Sequence, residues 1–428
     1  MTRIASQRFL ENLFLYLSFG VLYSVALGSL PPKLELFEEW VNFYLPLFDK
    51  PLSIQLKEYI SIRPNDSNQS VNAPIWLGLV YMFRSITGDV LVGTRLPSIL
   101  LSALAPVLMA EFVRRFYRKD LALLAGLALG SQQLFITFAR TGGYIAPTMS
   151  LLLGILLVSG MIAFENNRKA WIALVVMLAI APFFYSTIRY YELLGLALIA
   201  YRFLLSAEFR KKHLAPLLVS VVVLSGVAFA LTEGGKRYVA MMYISARGEQ
   251  FLLPDKVMLR KEGIDSQELT GQIEKVLTNR VPENLSQLVP FYQNGKRFVN
   301  YRLWQRHDGL WKSLRPWFLW LLVLGAVRCA FLSVKQHRYL LPLVWSVWAW
   351  LPLLVTTGIT PNRMLLGLPA DLFMMLLALV LPMDLARRYI KQELVTKALY
   401  LGALGCVVWG GYVTTTIYFQ DYISYPDL

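Results

Sequence analysis

The chain has 428 residues, 56% of them apolar and 16% charged, with a mean hydropathy of +0.49. Soluble domains run at roughly 45–50% apolar and about 25% charged, so a cytosolic enzyme, a disordered chain and a disulfide-stapled secreted module are excluded. The excess of 42 Lys and Arg over 27 Asp and Glu, +15, would suggest nucleic acid in a soluble protein. In a membrane protein, basic loops held on the cytoplasmic side give the same total.

At roughly 20 residues per span, the apolar content predicts an all-α polytopic membrane protein with about eleven transmembrane helices. Spans are expected near 9–30, 90–112, 121–138, 144–164, 171–188, 190–207, 214–232, 316–333, 339–358, 364–383 and 397–419. With the N-terminus in the cytoplasm, the inner turns carry Arg114 and Arg115, Arg168 and Lys169, Arg210 to Lys212, Lys335 and Arg338, and Arg387 and Arg388. Every short loop on that side is basic, so the charge is topology and no nucleic-acid partner is expected. Cys329 and Cys406 both sit in apolar stretches, which leaves neither a disulfide framework nor a Cys metal site.

This topology divides the chain into three parts. Residues 1–232 form an N-terminal transmembrane module that includes a first outer loop, 31–89. Residues 233–315 form a partly helical outer insertion, and 316–428 hold the C-terminal transmembrane helices. The apolar piece from Pro74 to Phe83 is too short to cross a bilayer and is expected as an interfacial helix.

Candidate chemistry gathers on the outer side. Glu38 and Glu39 follow the first span, and carboxylates at that boundary are costly unless solvated or used. Asp49, Glu58 and Asp66 compete with them from the same loop. Arg140 and Tyr144 lie at one outer turn, Arg189 and Tyr190 with Glu192 at the next, and Arg363 at a third. Arg306 and His307 stand in a basic, aromatic stretch before the span at 316. Arginine suits bidentate phosphate recognition, and a phosphate met at this level belongs to a lipid. Each arginine taken singly is equally a headgroup anchor.

The stretch from Asn72-Ala73-Pro74-Ile75-Trp76, through Thr87-Gly88-Asp89, to Thr94-Arg95-Leu96-Pro97-Ser98 resembles the first-loop block of the GT-C glycosyltransferases. The branch it resembles is that of the protein O-mannosyltransferases and lipid A aminoarabinose transferases. Phe138-Ala139-Arg140 with Tyr144, Gln305-Arg306-His307-Asp308, and Asn362-Arg363-Met364 are similar to later segments of that branch, in the same order. Two departures stand out: Glu38-Glu39 where the family has Asp-Glu, and Ala73-Pro74 where it has a double proline.

The resemblance implies a GT-C-like bundle that moves a sugar from a polyprenyl-phosphate donor to an acceptor lipid, glycan or protein on the outer face. Glu38 or Glu39 would be the catalytic base. Arg140, Tyr144, Arg189, Arg306, His307 and Arg363 would hold the donor phosphate. No metal or cofactor is expected beyond the lipid-linked sugar as substrate. The expected location is a bacterial inner membrane. Two readings compete: a catalytically silent GT-C-like scaffold, and a transporter of lipid-linked intermediates. The second is opposed by the lack of an internal repeat.

Overall fold

The computed structural model describes residues 2–28, 74–143, 145–181, 184, 188–230, 310–355 and 365–424, and positions 278, 281, 282 and 286. Glu38, Glu39, Tyr144, Arg306, His307 and Arg363, nearly all of the 233–315 insertion and most of the 31–89 loop lie outside them. All regular structure among the described residues is helical.

In chain order, α1 spans Thr2–Ser24, α2 Pro74–Thr87, α3 Val90–Ser102, α4 Leu104–Phe116, α5 Ala122–Gly130, α6 Gln133–Arg140 and α7 Ile145–Glu165. Then come α8 Ala170–Ile180, α9 Ile188–Leu205, α10 Ala207–Ala230, α11 Leu310–Lys335, α12 Leu340–Val355, α13 Leu368–Leu379, α14 Leu381–Leu385 and α15 Glu393–Ser424.

Prolines explain several breaks. Pro106 has no N–H to give the carbonyl four residues back, and α3 hands over to α4 at Ala103. Pro382 does the same between α13 and α14, where the path bends by 45°. The expected span 121–138 is two short helices, α5 with its leading turn and α6, bent by 61°.

Four described helical stretches are long and apolar enough to cross a membrane, or six when each bent pair counts as one span. On α1, Leu15, Phe19 and Tyr23 form a buried i, i+4 stripe, while Phe9, Phe14, Leu17 and Val21 are exposed. Exposed Trp317, Trp320 and Phe331 on α11, and Leu401, Val408 and Trp409 on α15, continue this apolar exterior. Such a surface belongs against hydrocarbon, with backbone hydrogen bonds closed inside helices. The protein is an integral membrane protein. Helix α2 runs four residues beyond the expected Phe83, to Thr87. Its Trp76, Leu77 and Val80 are buried, so it is docked on the bundle as well as short.

The end of the bundle near the start of α1 is tied by ion pairs. Glu111 accepts from Arg8, Arg114 and Asn12, and Arg114 also reaches Glu11 at 2.6 Å. Arg115 meets Glu165 at 2.9 Å. Arg118 bridges Asp120 at 2.7 Å and Asp384 at 2.5 Å, and Asp384 also receives Arg328. Arg387 closes on Asp120 at 2.8 Å. The resembling motifs lie toward the other end of α1.

Candidate active site

The α2–α3 corner is set by three adjacent residues. Gly88 takes a φ of +68°, which only glycine adopts without strain. Asp89 caps α3, its carboxylate accepting from Val92 N–H at 2.7 Å. Thr87 Oγ1 donates to Phe83 O at 2.9 Å. The two helices then run very close: a Cβ on Gly93 would stand 2.5 Å from Arg84 Cα. Arg84 Nε donates to Thr94 Oγ1 at 2.7 Å.

The next motif meets this corner directly. A Cβ on Gly142 would lie 2.3 Å from Thr94 Cγ2 and 2.8 Å from Thr94 O. Ser98 Oγ donates to Gly143 O at 3.2 Å. The Thr94–Ser98 block and the Arg140–Gly143 turn, about 45 residues apart in sequence, are therefore packed backbone against backbone.

Two fully buried arginines converge here on the exit of α1. Arg140, last residue of α6, donates from Nη1 to Tyr23 O at 2.8 Å and Leu22 O at 3.4 Å. Its Nε reaches Tyr418 Oη at 3.1 Å. The guanidinium lies 5.5 Å from the Tyr418 ring centre and 5.0 Å from that of Phe419. Arg95, on α3, donates from Nη1 to Leu27 O at 2.9 Å. Carbonyls at a helix C-terminus lack intrahelical partners and carry partial negative charge, which suits a cation.

Of the other expected site residues, Arg189 lies on α9, with its side chain outside the described set. Its neighbour Tyr190 donates to Trp348 O at 3.0 Å while Trp348 Nε1 donates to Tyr190 O at 3.0 Å, the rings stacked at 4.8 Å. Glu192 is buried on the same helix. Asp371, buried on α13, accepts from Ser346 Oγ at 2.5 Å. Among the described residues, no three His, Cys, Asp or Glu side chains gather as a metal site.

Two residues of this corner were not candidates from sequence. Arg95 had a signal, since it sits within the quoted Thr94–Ser98 block. Tyr418 had none, being one more aromatic near the end of an apolar helix.

The comparisons with known proteins bear on this corner. Residues 72–233 match the model of the dolichyl-phosphate-mannose-protein mannosyltransferase family, a range that contains both packed blocks. In fold, the chain is similar to the crystal structure of ArnT from Cupriavidus metallidurans bound to undecaprenyl phosphate. The TM-score is 0.54 at 13% identity, covering 97% of this chain and 76% of that one. No curated protein matches the chain in sequence. The family match covers residues 72–233, less than half of the chain, and the structural likeness is one of fold.

Proposed function

We propose that the protein transfers a sugar from a polyprenyl-phosphate donor to an acceptor hydroxyl at the end of the bundle where α1 exits. One observation carries the reading: the two sequence blocks that resemble the GT-C family, far apart along the chain, pack into one corner within the family-matching range. The ArnT neighbour bound to undecaprenyl phosphate supports a lipid phosphate as the donor's anchor.

In this mechanism Glu38, with Glu39 beside it, takes the proton from the acceptor hydroxyl as that oxygen attacks the sugar's anomeric carbon. The glycosidic C–O bond breaks, and negative charge grows on the departing lipid phosphate. Arg189, Arg306, His307 and Arg363, with the Tyr144 hydroxyl, receive that charge. The apolar exterior takes the polyprenyl tail. For Arg140 a positioning task is proposed below.

The test is Glu38→Gln. Loss of a positioned base lowers turnover by about 10²–10⁴-fold, while undecaprenyl phosphate still binds. Mass spectrometry of lipid co-purified with the wild type should find a polyprenyl-phosphate sugar. Full turnover in both Glu38→Gln and Glu39→Gln rejects the assignment.

A further inference from the structure

The exit of α1 is unusual in three respects at once. Ala26 has a φ of +52°, in the left-handed region where an L side chain is strained and glycine is not. The carbonyls on either side of it, Tyr23 and Leu27, are each held by a fully buried arginine from a different helix. The turn then leads into the loop whose candidate base, Glu38, follows Gly28 by ten residues. Left-handed alanines persist where the surroundings over-determine them, and they cluster at functional sites.

We propose that Arg95 and Arg140 are positioning residues that clamp residues 22–28 in this strained turn. The clamp holds Leu27 and Gly28 against α3 of the α2–α3 corner. The catalytic part of the inference rests on the transferase reading above, whereas the clamp itself does not.

The physical case is the match of donors to acceptors. A helix end offers carbonyls in a fixed fan, and a planar guanidinium with several N–H groups can take two of them, as Arg140 does with Leu22 and Tyr23. Its contacts with the Tyr418 hydroxyl and with the Tyr418 and Phe419 faces come from α15. Arg140 therefore joins the first and last described helices at the exit. Arg95 sits six residues beyond the Asp89 cap, so the α2–α3 corner fixes where its guanidinium meets Leu27 O.

A cross-link reads the turn directly. A Cβ on Gly28 would lie 3.6 Å from Val92 Cγ2. Gly28→Cys with Val92→Cys, in a Cys329→Ala and Cys406→Ala background, should form a disulfide readily in native membranes under mild oxidant. Arg95→Gln and Arg140→Gln should each slow that reaction about fivefold or more, the scale of losing roughly one net hydrogen bond. Adding Ala26→Gly should restore much of the rate, because glycine holds the turn without strain. Arg95→Lys and Arg140→Lys, which keep the charge, should fall between and serve where a glutamine variant does not fold.

Undecaprenyl phosphate affinity, measured on the same variants, should change by less than about twofold, since hydrogen bonds within the protein are what is lost. Unchanged cross-linking overturns the proposal. So does slowed cross-linking that Ala26→Gly leaves slow, and so does a large loss of undecaprenyl phosphate affinity with cross-linking intact. If the wild type binds no undecaprenyl phosphate, the transferase reading fails on its own, and the cross-linking rates still decide the clamp.

Discussion

His213 shows how a single residue can be settled by its partners. Trp171 Nε1 donates to its Nδ1 at 2.9 Å, so the ring proton sits on Nε2, facing Asn166 Oδ1 at 2.5 Å. Phe209 stacks on it at 4.3 Å, and the imidazole is fully buried. Burial, then the neighbouring Lys212 and Arg168 charges, hold its pKa below the ordinary 6.5. The folded state thus resists protonation that the unfolded chain accepts. Stability is fully present above about pH 6.5 and falls as pH drops below it, toward the depressed folded value. Thermal unfolding in detergent should show that slope between pH 7 and 5, and His213→Gln should flatten it. In the sequence, His213 directly follows the basic inner turn Arg210 to Lys212. The sequence could not supply Trp171, 42 residues away, because nothing local encodes a contact of that range. The same holds for Arg140, expected as a phosphate ligand because of where it falls, whose acceptors include two backbone carbonyls of α1. Backbone partners leave no trace in side-chain pattern.

Among elements, close approaches divide the glycines into two kinds. A Cβ on Gly325 would lie 1.9 Å from Met374 O, and one on Gly142 would lie 2.3 Å from Thr94 Cγ2. Helices in a bilayer use such small residues to pack backbone on backbone. Gly325→Ala and Gly142→Ala should each destabilise the fold by about 1–3 kcal/mol, the usual cost of overpacking. A Cβ on Gly402 of α15 would meet nothing within 4 Å, so Gly402→Ala should be neutral or stabilising by up to about 1 kcal/mol. Thermal shift of the purified protein separates the three. Helix existence was legible from hydropathy throughout: each expected span outside the loops falls on a described helix or bent pair. Breaks were less legible. Pro106 and Pro382 signal theirs, but the 61° bend after Gly130 follows packing around Ser131. There Thr414 Oγ1 on α15 donates to Ser131 O at 2.5 Å.

At the scale of the whole molecule, the basic short turns with their ion pairs and the packed motif corner lie at opposite ends of the bundle, in line with the charge pattern of the sequence. The positive-inside rule gives the expectation that the basic end faces the cytoplasm. An impermeant thiol reagent should therefore label Ser67→Cys from outside intact cells and leave Lys211→Cys unlabelled. The ion pairs at the basic end were not legible, since Asp384 serves Arg118 and Arg328 from across the fold. Asp384→Asn would take the described counter-charge from Arg328, only 16% exposed, and leave Arg118 with Asp120 alone. Because the network keeps some water contact, the expected loss is about 1–3 kcal/mol, below the range for a fully buried pair, read by thermal shift. The family match stops at residue 233, yet the later helices are sewn to the earlier ones at several points. Arg140 to Tyr418, Tyr117 Oη to Arg338 O at 3.0 Å, and the reciprocal Tyr190–Trp348 pair are the seams. These contacts predict that the halves stay together without chain continuity between 230 and 310. A protease site engineered near residue 250, once cut, should yield two fragments that co-purify and unfold as one. Two separately expressed genes, split at the same place, should complement each other.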